Sequence, residues 1–192
     1  MKRLLIVVLI FLLVPAQASS KWIAGMAKDF THKGKTIHPK LFLKFNPWVS
    51  DGGPGPVIAV DLTAQVEGNG NQFFADVKND SGLISCTYRL DGYPDREGYA
   101  AYRYIGRLEN GLFVVQTYDR SGGTAVWQNV LLLRMIVTTR YDEDQKKPAL
   151  VAFLYRTIDM MERSSDKVSL SGNKVLFTKE GQSSSYKSVE TP

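Results

Sequence analysis

Apolar side chains concentrate in the middle of the chain, in two runs separated by a glycine-rich turn. Residues 104–137 contain both runs, and Asp119-Arg120-Ser121-Gly122-Gly123 lies between them. A second turn, Glu109-Asn110-Gly111, precedes the first run, and Asn-Gly readily adopts the paired positive φ angles of a two-residue hairpin. The pattern predicts the centre of an antiparallel β-meander.

Shorter segments on the N-terminal side have the same character. Apolar residues at 58, 60, 62, 64 and 66 alternate with polar ones, which predicts a strand with one solvated face. Turns at 68–70 and 79–82 are too short for a parallel crossover, so the strands they join are predicted to be antiparallel. Leu41–Phe45 alternates weakly and is predicted as a first strand.

The second central run continues to residue 141 and is too long for one regular strand. Its apolar residues fall on both faces around Leu131-Leu132-Leu133, which predicts a bulge or a bend there. Further strands are predicted at 149–160, 167–170 and 174–179.

One helix is predicted, from Ser19 to Phe30. Trp22, Met26 and Phe30 recur at every fourth residue and form one apolar stripe. At the other end, residues 180–192 are polar and serine-rich, which is typical of a disordered tail.

These elements predict a mainly β fold: a single antiparallel meander of nine or ten strands, forming a barrel or a sandwich, with one N-terminal helix. The predicted organisation is a signal peptide at 1–18, the helix and a linker at 19–39, the β-domain at 40–179 and the tail at 180–192.

The first eighteen residues have the form of an export signal. Lys2 and Arg3 precede an apolar run of eleven residues, and Ala16-Gln17-Ala18 fits a cleavage site. The run is too short to cross a bilayer as a helix, which needs about 20 residues. We expect an exported, periplasmic or secreted, soluble chain without a membrane span, of bacterial origin.

The charge of the chain argues against a nucleic-acid-binding role. Loss of Lys2 and Arg3 with the signal lowers the formal net charge from +5 to +3, a mild excess that favours solubility. Cys86, the single cysteine, cannot form an intramolecular disulfide and is predicted to lie in the core. His32 and His38 are predicted to lie in a solvated linker.

Two irregular loops carry the candidate contact residues. Residues 46–56 contain three prolines, three glycines and Trp48, which either covers the core or remains exposed for contact. Residues 91–98 form the second loop and contain Tyr93, Asp95 and Arg96. We predict Trp48, Tyr93, Asp95 and Arg96 as partner-binding residues.

No catalytic signature is present. The chain lacks a nucleophile elbow, a metalloprotease motif and a phosphate-binding loop. Asp95 and Glu97 are close in sequence, but a glycosidase needs two carboxylates held across a cleft. No catalytic residue, cofactor or metal site is predicted.

Tyrosine and arginine alternate in the strand that follows the second loop. Tyr102, Tyr104 and Leu108 are predicted on one face and Arg103 and Arg107 on the other, which favours a core role for the tyrosines.

Residues 106–177 resemble a recurring segment of exported bacterial β-domains of uncharacterised function. The features shared are the turn at 121–124, Trp127 on the strand after it, Asn129 to Arg134 and the closing segment 167–177. The acidic turn expected after the strand from Ala149 is absent. The resemblance implies a fold and a compartment and no activity.

Three functional hypotheses remain. The first is a non-enzymatic binding or protein-interaction module of the cell envelope. The alternative is a barrel that binds a small apolar ligand, although a lipocalin-type G-x-W motif is missing. A hydrolase using acidic residues has the least support.

Overall fold

The computed structural model describes residues 16–45, 55–67, 77–90, 93–121, 123–142, 145–160, 165–181, 183–184 and 187–191. Among the described residues the fold is mainly β, with 62% in strands and three short helices. This confirms the mainly β class that the sequence predicts. Within the described part of the chain, no helix is long and apolar enough to cross a membrane.

Helices and strands alternate along the first third of the described chain, and strands alone make up the rest. In chain order the elements are α1 (Ala16–Asp29), β1 (Thr31–His32), β2 (Lys35–Thr36), α2 (Lys40–Leu43), β3 (Ala59–Asp61), α3 (Leu62–Glu67), β4 (Lys78–Asp80), β5 (Leu83–Leu90), β6 (Tyr93–Arg107), β7 (Phe113–Arg120), β8 (Trp127–Asp142), β9 (Gln145–Met160), β10 (Lys167–Ser171), β11 (Lys174–Thr178) and β12 (Lys187–Glu190).

Seven strands form one sheet that curls into a half-barrel, in the order β3-β9-β8-β7-β6-β5-β4. Every pair in it is antiparallel, as predicted. Strands β4 to β9 follow the chain order, because short connections force neighbouring strands to pair. The predicted count of nine or ten strands is not confirmed, since twelve occur among the described residues.

The inner face of the half-barrel carries the larger apolar cluster. The rings of Phe30 and Tyr104 stack with centroids 4.7 Å apart, and Phe42 meets Tyr102 edge to face at the same distance. Phe30 follows α1 directly, and the Tyr104 hydroxyl donates a hydrogen bond to the Ala27 carbonyl at 3.2 Å. The predicted N-terminal helix therefore covers this face of the sheet. It extends on both sides of the cleavage point predicted after Ala18.

The outer face carries a second apolar cluster, covered by a small sheet of order β10-β11-β12. Leu131 and Leu133 belong to the inner cluster, and Leu132 belongs to the outer one. Both faces of the sheet are covered at β8, and this explains why its apolar run is continuous. The predicted bulge is not in this run, which alternates regularly as part of β8. The register does shift here, but Leu132 pairs with Arg156 and Leu133 with Leu154, so the extra residue, Tyr155, lies on β9.

A second bulge changes one face assignment. Tyr104 pairs with Val115 and Gly106 with Val114, which leaves Ile105 as the extra residue in β6. Leu108 consequently packs in the outer cluster, whereas Tyr102 lies in the inner one. The prediction that they share a face is wrong. Tyr102 is buried, as predicted, and Arg103 is exposed.

Two strand predictions are wrong, because the residues concerned form helical turns instead. In place of the strand at Leu41–Phe45 the chain forms α2. The long alternating strand predicted over residues 58–66 is also absent. Strand β3 ends at Asp61, and α3 begins at Leu62. Asp61 caps that helix, since its Oδ1 accepts a hydrogen bond from the Ala64 N–H at 2.9 Å.

The prediction of a disordered tail is wrong for Lys187–Glu190, which pair with β11 as β12. Val189 packs against the outer cluster. Thr191 follows β12, and its hydroxyl donates a hydrogen bond to the Asn173 carbonyl at 2.9 Å. The same hydroxyl oxygen accepts a hydrogen bond from the Asn110 side-chain amide, also at 2.9 Å. These contacts compensate for the entropy lost on ordering a polar segment.

Candidate functional site

The predicted contact residues Tyr93, Asp95 and Arg96 lie at the start of β6, the strand that follows β5 in the chain. Leu90 pairs with Tyr93 and Arg89 pairs with Glu97, so residues 94–96 lie outside the described β5–β6 pairs and form a three-residue irregularity in β6. The prediction of a loop over 91–98 is therefore wrong for the described residues from Tyr93 onward. We call Tyr93–Arg96 the hairpin tip.

The hairpin tip presents an aromatic ring and a cation to solvent. Tyr93 is 60% exposed, and the Arg96 guanidinium lies over its ring, 5.3 Å from the centroid. Asp95 is exposed between them. Trp48, the fourth predicted contact residue, lies outside the described residues. The structure thus describes three of the four predicted residues, and all three are exposed.

A hydrogen-bonded cluster lies on the inner face close to the hairpin tip. Tyr88 on β5 is directly opposite Gly98 on β6, and the absence of a side chain there lets the tyrosine ring lie across the strand. The Tyr88 hydroxyl donates to Asp119 Oδ1 on β7 at 3.2 Å. The Ser121 hydroxyl donates to Asp119 Oδ2 at 3.0 Å.

Burial controls the protonation of this cluster. It raises the pKa of the Asp119 carboxyl, while the hydrogen bonds from Ser121 and Tyr88 limit that rise. Burial also raises the pKa of the Tyr88 hydroxyl, and the nearby Asp119 carboxylate raises it further. A carboxyl whose pKa is raised by desolvation and that lies beside specific polar partners is a candidate functional group.

Two further residues complete the cluster. The Lys40 ammonium, at the start of α2, lies over the Tyr88 ring, 4.7 Å from its centroid. Trp127, the first residue of β8, is directly opposite Asp119 and is 43% exposed. We call Lys40, Tyr88, Asp119, Ser121 and Trp127 the polar corner.

Cys86 lies two residues before Tyr88 and is buried, as predicted. Burial raises the pKa of its thiol, so the protonated, unreactive form predominates.

The prediction of a solvated linker for the two histidines is wrong, because both are buried. His32 Nε2 lies 3.0 Å from the Thr63 hydroxyl oxygen, which also accepts a hydrogen bond from the Leu150 N–H at 2.7 Å. His38 Nδ1 accepts from the Lys40 N–H at 3.2 Å. Burial, and secondarily the Lys40 charge, lowers the pKa of His38 to about 4.

The sequence pattern did not identify the polar corner, although a partial signal existed. Asp119 and Ser121 interrupt an apolar run just where β7 ends. The link to Tyr88 depends on the pairing between β5 and β6, whose register shifts between Arg89 and Leu90. Among the described residues, no three His, Cys, Asp or Glu side chains group as a metal site would require.

Comparison of the chain with protein-family models, with characterised proteins and with solved structures found no match. The resemblance of residues 106–177 to exported β-domains stays a prediction.

Proposed function

We propose that the protein is an exported, non-enzymatic binding domain of the cell envelope, and that it contacts a partner protein through the hairpin tip. The observation that carries the proposal is the exposed Tyr93 ring with the Arg96 guanidinium over it. The leader sequence supports export. Tyrosine and arginine are the residue types most often found, with tryptophan, among the energetic centres of protein interfaces.

The contact between the Arg96 guanidinium and the Tyr93 ring favours binding for an energetic reason. A free tyrosine and a free arginine each lose side-chain freedom when a partner immobilises them, and this cost subtracts from affinity. Contact between Arg96 and Tyr93 restricts both side chains before binding. Asp95, exposed beside them, adds an opposite charge that helps to select a complementary surface.

A small apolar ligand is the second candidate function, and it has less support. Phe30, Phe42 and Tyr102 occupy the inner face with ring-to-ring contacts, in the place where a ligand barrel would hold its ligand. The small sheet on the outer face favours a sandwich-like arrangement over a closed ligand barrel.

A hydrolase has the least support. Its candidate carboxylates, Asp95 and Glu97, are both exposed. A glycosidase acid needs a desolvated carboxyl to remain protonated at neutral pH, and exposure removes that condition.

Affinity capture from an envelope extract of the source organism tests the proposed function. The bait is the tagged full-length chain after export. A double variant, Tyr93→Ala with Arg96→Ala, is compared with Tyr141→Ala with Lys146→Ala. The control pair is similar in being a cation over an exposed tyrosine, because the Lys146 ammonium lies over the Tyr141 ring at the end of the β8–β9 hairpin, 5.7 Å from its centroid.

We expect one stoichiometric protein partner, retained by the wild type and by the control and lost by the hairpin-tip variant. Equal retention by the wild type and the hairpin-tip variant would refute the assignment of the contact. An empty wild-type bait would refute the protein-interaction proposal.

A further inference from the structure

We propose that the polar corner is a binding site for a neutral saccharide, with Trp127 as the stacking platform and Asp119 as the hydrogen-bond acceptor. This site is separate from the hairpin tip, and the proposal does not depend on the protein partner proposed above. It is supported by the exposure of Trp127, the hydrogen bonding of Asp119 and the charges around both.

Trp127 provides an apolar surface beside a polar group. It is 43% exposed, although it begins a strand whose following residues include the fully buried Val130 and Leu132. Directly opposite residues on antiparallel strands have Cβ atoms about 4.5–5.5 Å apart, so the base of the indole lies close to Asp119. The apolar C–H face of a pyranose fits such an exposed aromatic ring, with its hydroxyl groups directed to the neighbouring polar side chains.

Asp119 is held in one orientation and retains capacity to accept a hydrogen bond. A carboxylate offers about four acceptor positions. The Tyr88 hydroxyl, the Ser121 hydroxyl and the Arg120 backbone N–H occupy three of them. A remaining position accepts an O–H or N–H group from a ligand, and the partial burial of the carboxylate strengthens such a charge-assisted bond.

The surrounding charges favour an uncharged ligand. The Asp119 carboxylate repels anions, and the Lys40 ammonium over the Tyr88 ring disfavours a cation in the same place. An uncharged ligand rich in hydroxyl groups matches this set.

The position of the site in the sheet argues against an extended peptide. Peptides commonly add to a sheet as a strand, which requires an open edge. Asp119 and Trp127 are on β7 and β8, and both strands are internal in the seven-stranded sheet. At the polar corner a ligand therefore meets side chains on the face of the sheet, because the backbone groups of β7 and β8 are already paired with neighbouring strands.

The test is a depletion assay of the exported full-length chain on three insoluble, uncharged β-linked glycans: cellulose, chitin and curdlan. The variants are Trp127→Ala, Trp127→Phe and Asp119→Asn, with Tyr141→Ala as a control for loss of another exposed ring. Thermal unfolding of each variant verifies its folding. We expect at least one glycan to retain the wild type, Trp127→Phe and Tyr141→Ala, and Trp127→Ala and Asp119→Asn to bind at least tenfold more weakly.

Two further measurements, the salt dependence and the hairpin-tip variant, distinguish this proposal from binding of a charged ligand and from binding at the hairpin tip. Binding of a neutral glycan remains unchanged between low salt and about 0.5 M salt, whereas a charged ligand is released as screening increases. The Tyr93→Ala, Arg96→Ala double variant retains glycan binding, because the polar corner does not include either side chain. Failure of all three glycans to retain the wild type, equal retention of folded Trp127→Ala, or release by salt would each overturn the proposal.

Discussion

The ring of Tyr88 lies against the backbone of Gly98, its direct partner across the β5–β6 pair. A Cβ atom at residue 98 would lie 2.5 Å from Tyr88 Cζ, closer than two non-bonded carbon atoms approach. The glycine thus provides the space that the ring needs to reach Asp119 on the next strand. One residue without a side chain determines the geometry of the polar corner.

Gly98→Ala will destabilise the fold by about 1–3 kcal/mol, because the added methyl group forces the Tyr88 ring out of its rotamer. Urea unfolding measures the change. Gly25→Ala is the control: Gly25 lies in α1 with open space around it, and alanine there will stabilise the protein by about 0.5–1 kcal/mol. Wild-type stability of Gly98→Ala would show that the ring is not held there.

Tyr88→Phe removes the hydroxyl that donates to Asp119 and keeps the ring. We expect the pKa of Asp119 to rise further, because one hydrogen bond that favours the carboxylate is lost. The free energy of unfolding at pH 7 will fall by about 1–2 kcal/mol. Titration of the Asp119 carboxyl by NMR and urea unfolding measure the two effects, with exposed Tyr141→Phe as the control. An unchanged Asp119 pKa would contradict the hydrogen bond.

Acid will destabilise the protein through His38. Its pKa is about 4 in the folded state, below the value of 6.5 expected when unfolded, so the unfolded chain binds more protons between these values. The stability contributed by neutral His38 is complete above pH 6.5 and is lost as the pH falls towards 4. We expect a loss of about 1–2 kcal/mol, smaller than the full shift implies because solvent and nearby charges relax around the imidazolium.

His38→Asn isolates this effect, because asparagine can accept the hydrogen bond from the Lys40 N–H without titrating. Unfolding free energies of both proteins are measured from about pH 4 to 7, the range that spans the folded and unfolded pKa values. Asp119, whose raised pKa gives a slope of opposite sign, contributes equally to both curves and cancels in their difference. Parallel curves for the wild type and His38→Asn would contradict the prediction.

Thr63→Val will destabilise the protein by about 1–3 kcal/mol, since it leaves the Leu150 N–H and His32 Nε2 without the hydroxyl that both contact. Thr63 is fully buried, so water cannot replace the lost partner. Thr63→Ser keeps the hydroxyl and will recover part of the loss. Equal unfolding free energies for the valine and serine variants would show that the hydroxyl has no role.

The central meander was predictable because its signals are local. Asn110-Gly111 marks the connection between β6 and β7, although of the two residues Gly111 alone has a positive φ. The run around Leu131-Leu132-Leu133 indicated an irregular region between two apolar faces. The bulge itself lies on the partner strand at Tyr155, and no local pattern specifies which strand carries the extra residue.

The errors arose where tertiary contacts decide the structure. Leu62 and Val66 fit the spacing of a strand face and of a helix face alike, and the Asp61 cap together with the Thr63 contacts to β9 selects the helix. His32 looks solvated beside its lysine neighbours, but Thr63, distant in sequence, provides a buried partner. Asp119 was missed as a site residue for the same reason, since its partner Tyr88 is 31 residues away.

The central claim is that the protein binds its partner through the hairpin tip, and a dissociation constant tests it most directly. The partner recovered from the extract is purified and titrated against the wild type, the Tyr93→Ala, Arg96→Ala variant and the Tyr141→Ala, Lys146→Ala control. We predict affinity at least about tenfold weaker for the hairpin-tip variant, as expected when interface centres are truncated, and wild-type affinity for the control. Equal affinity for all three proteins would contradict the claim.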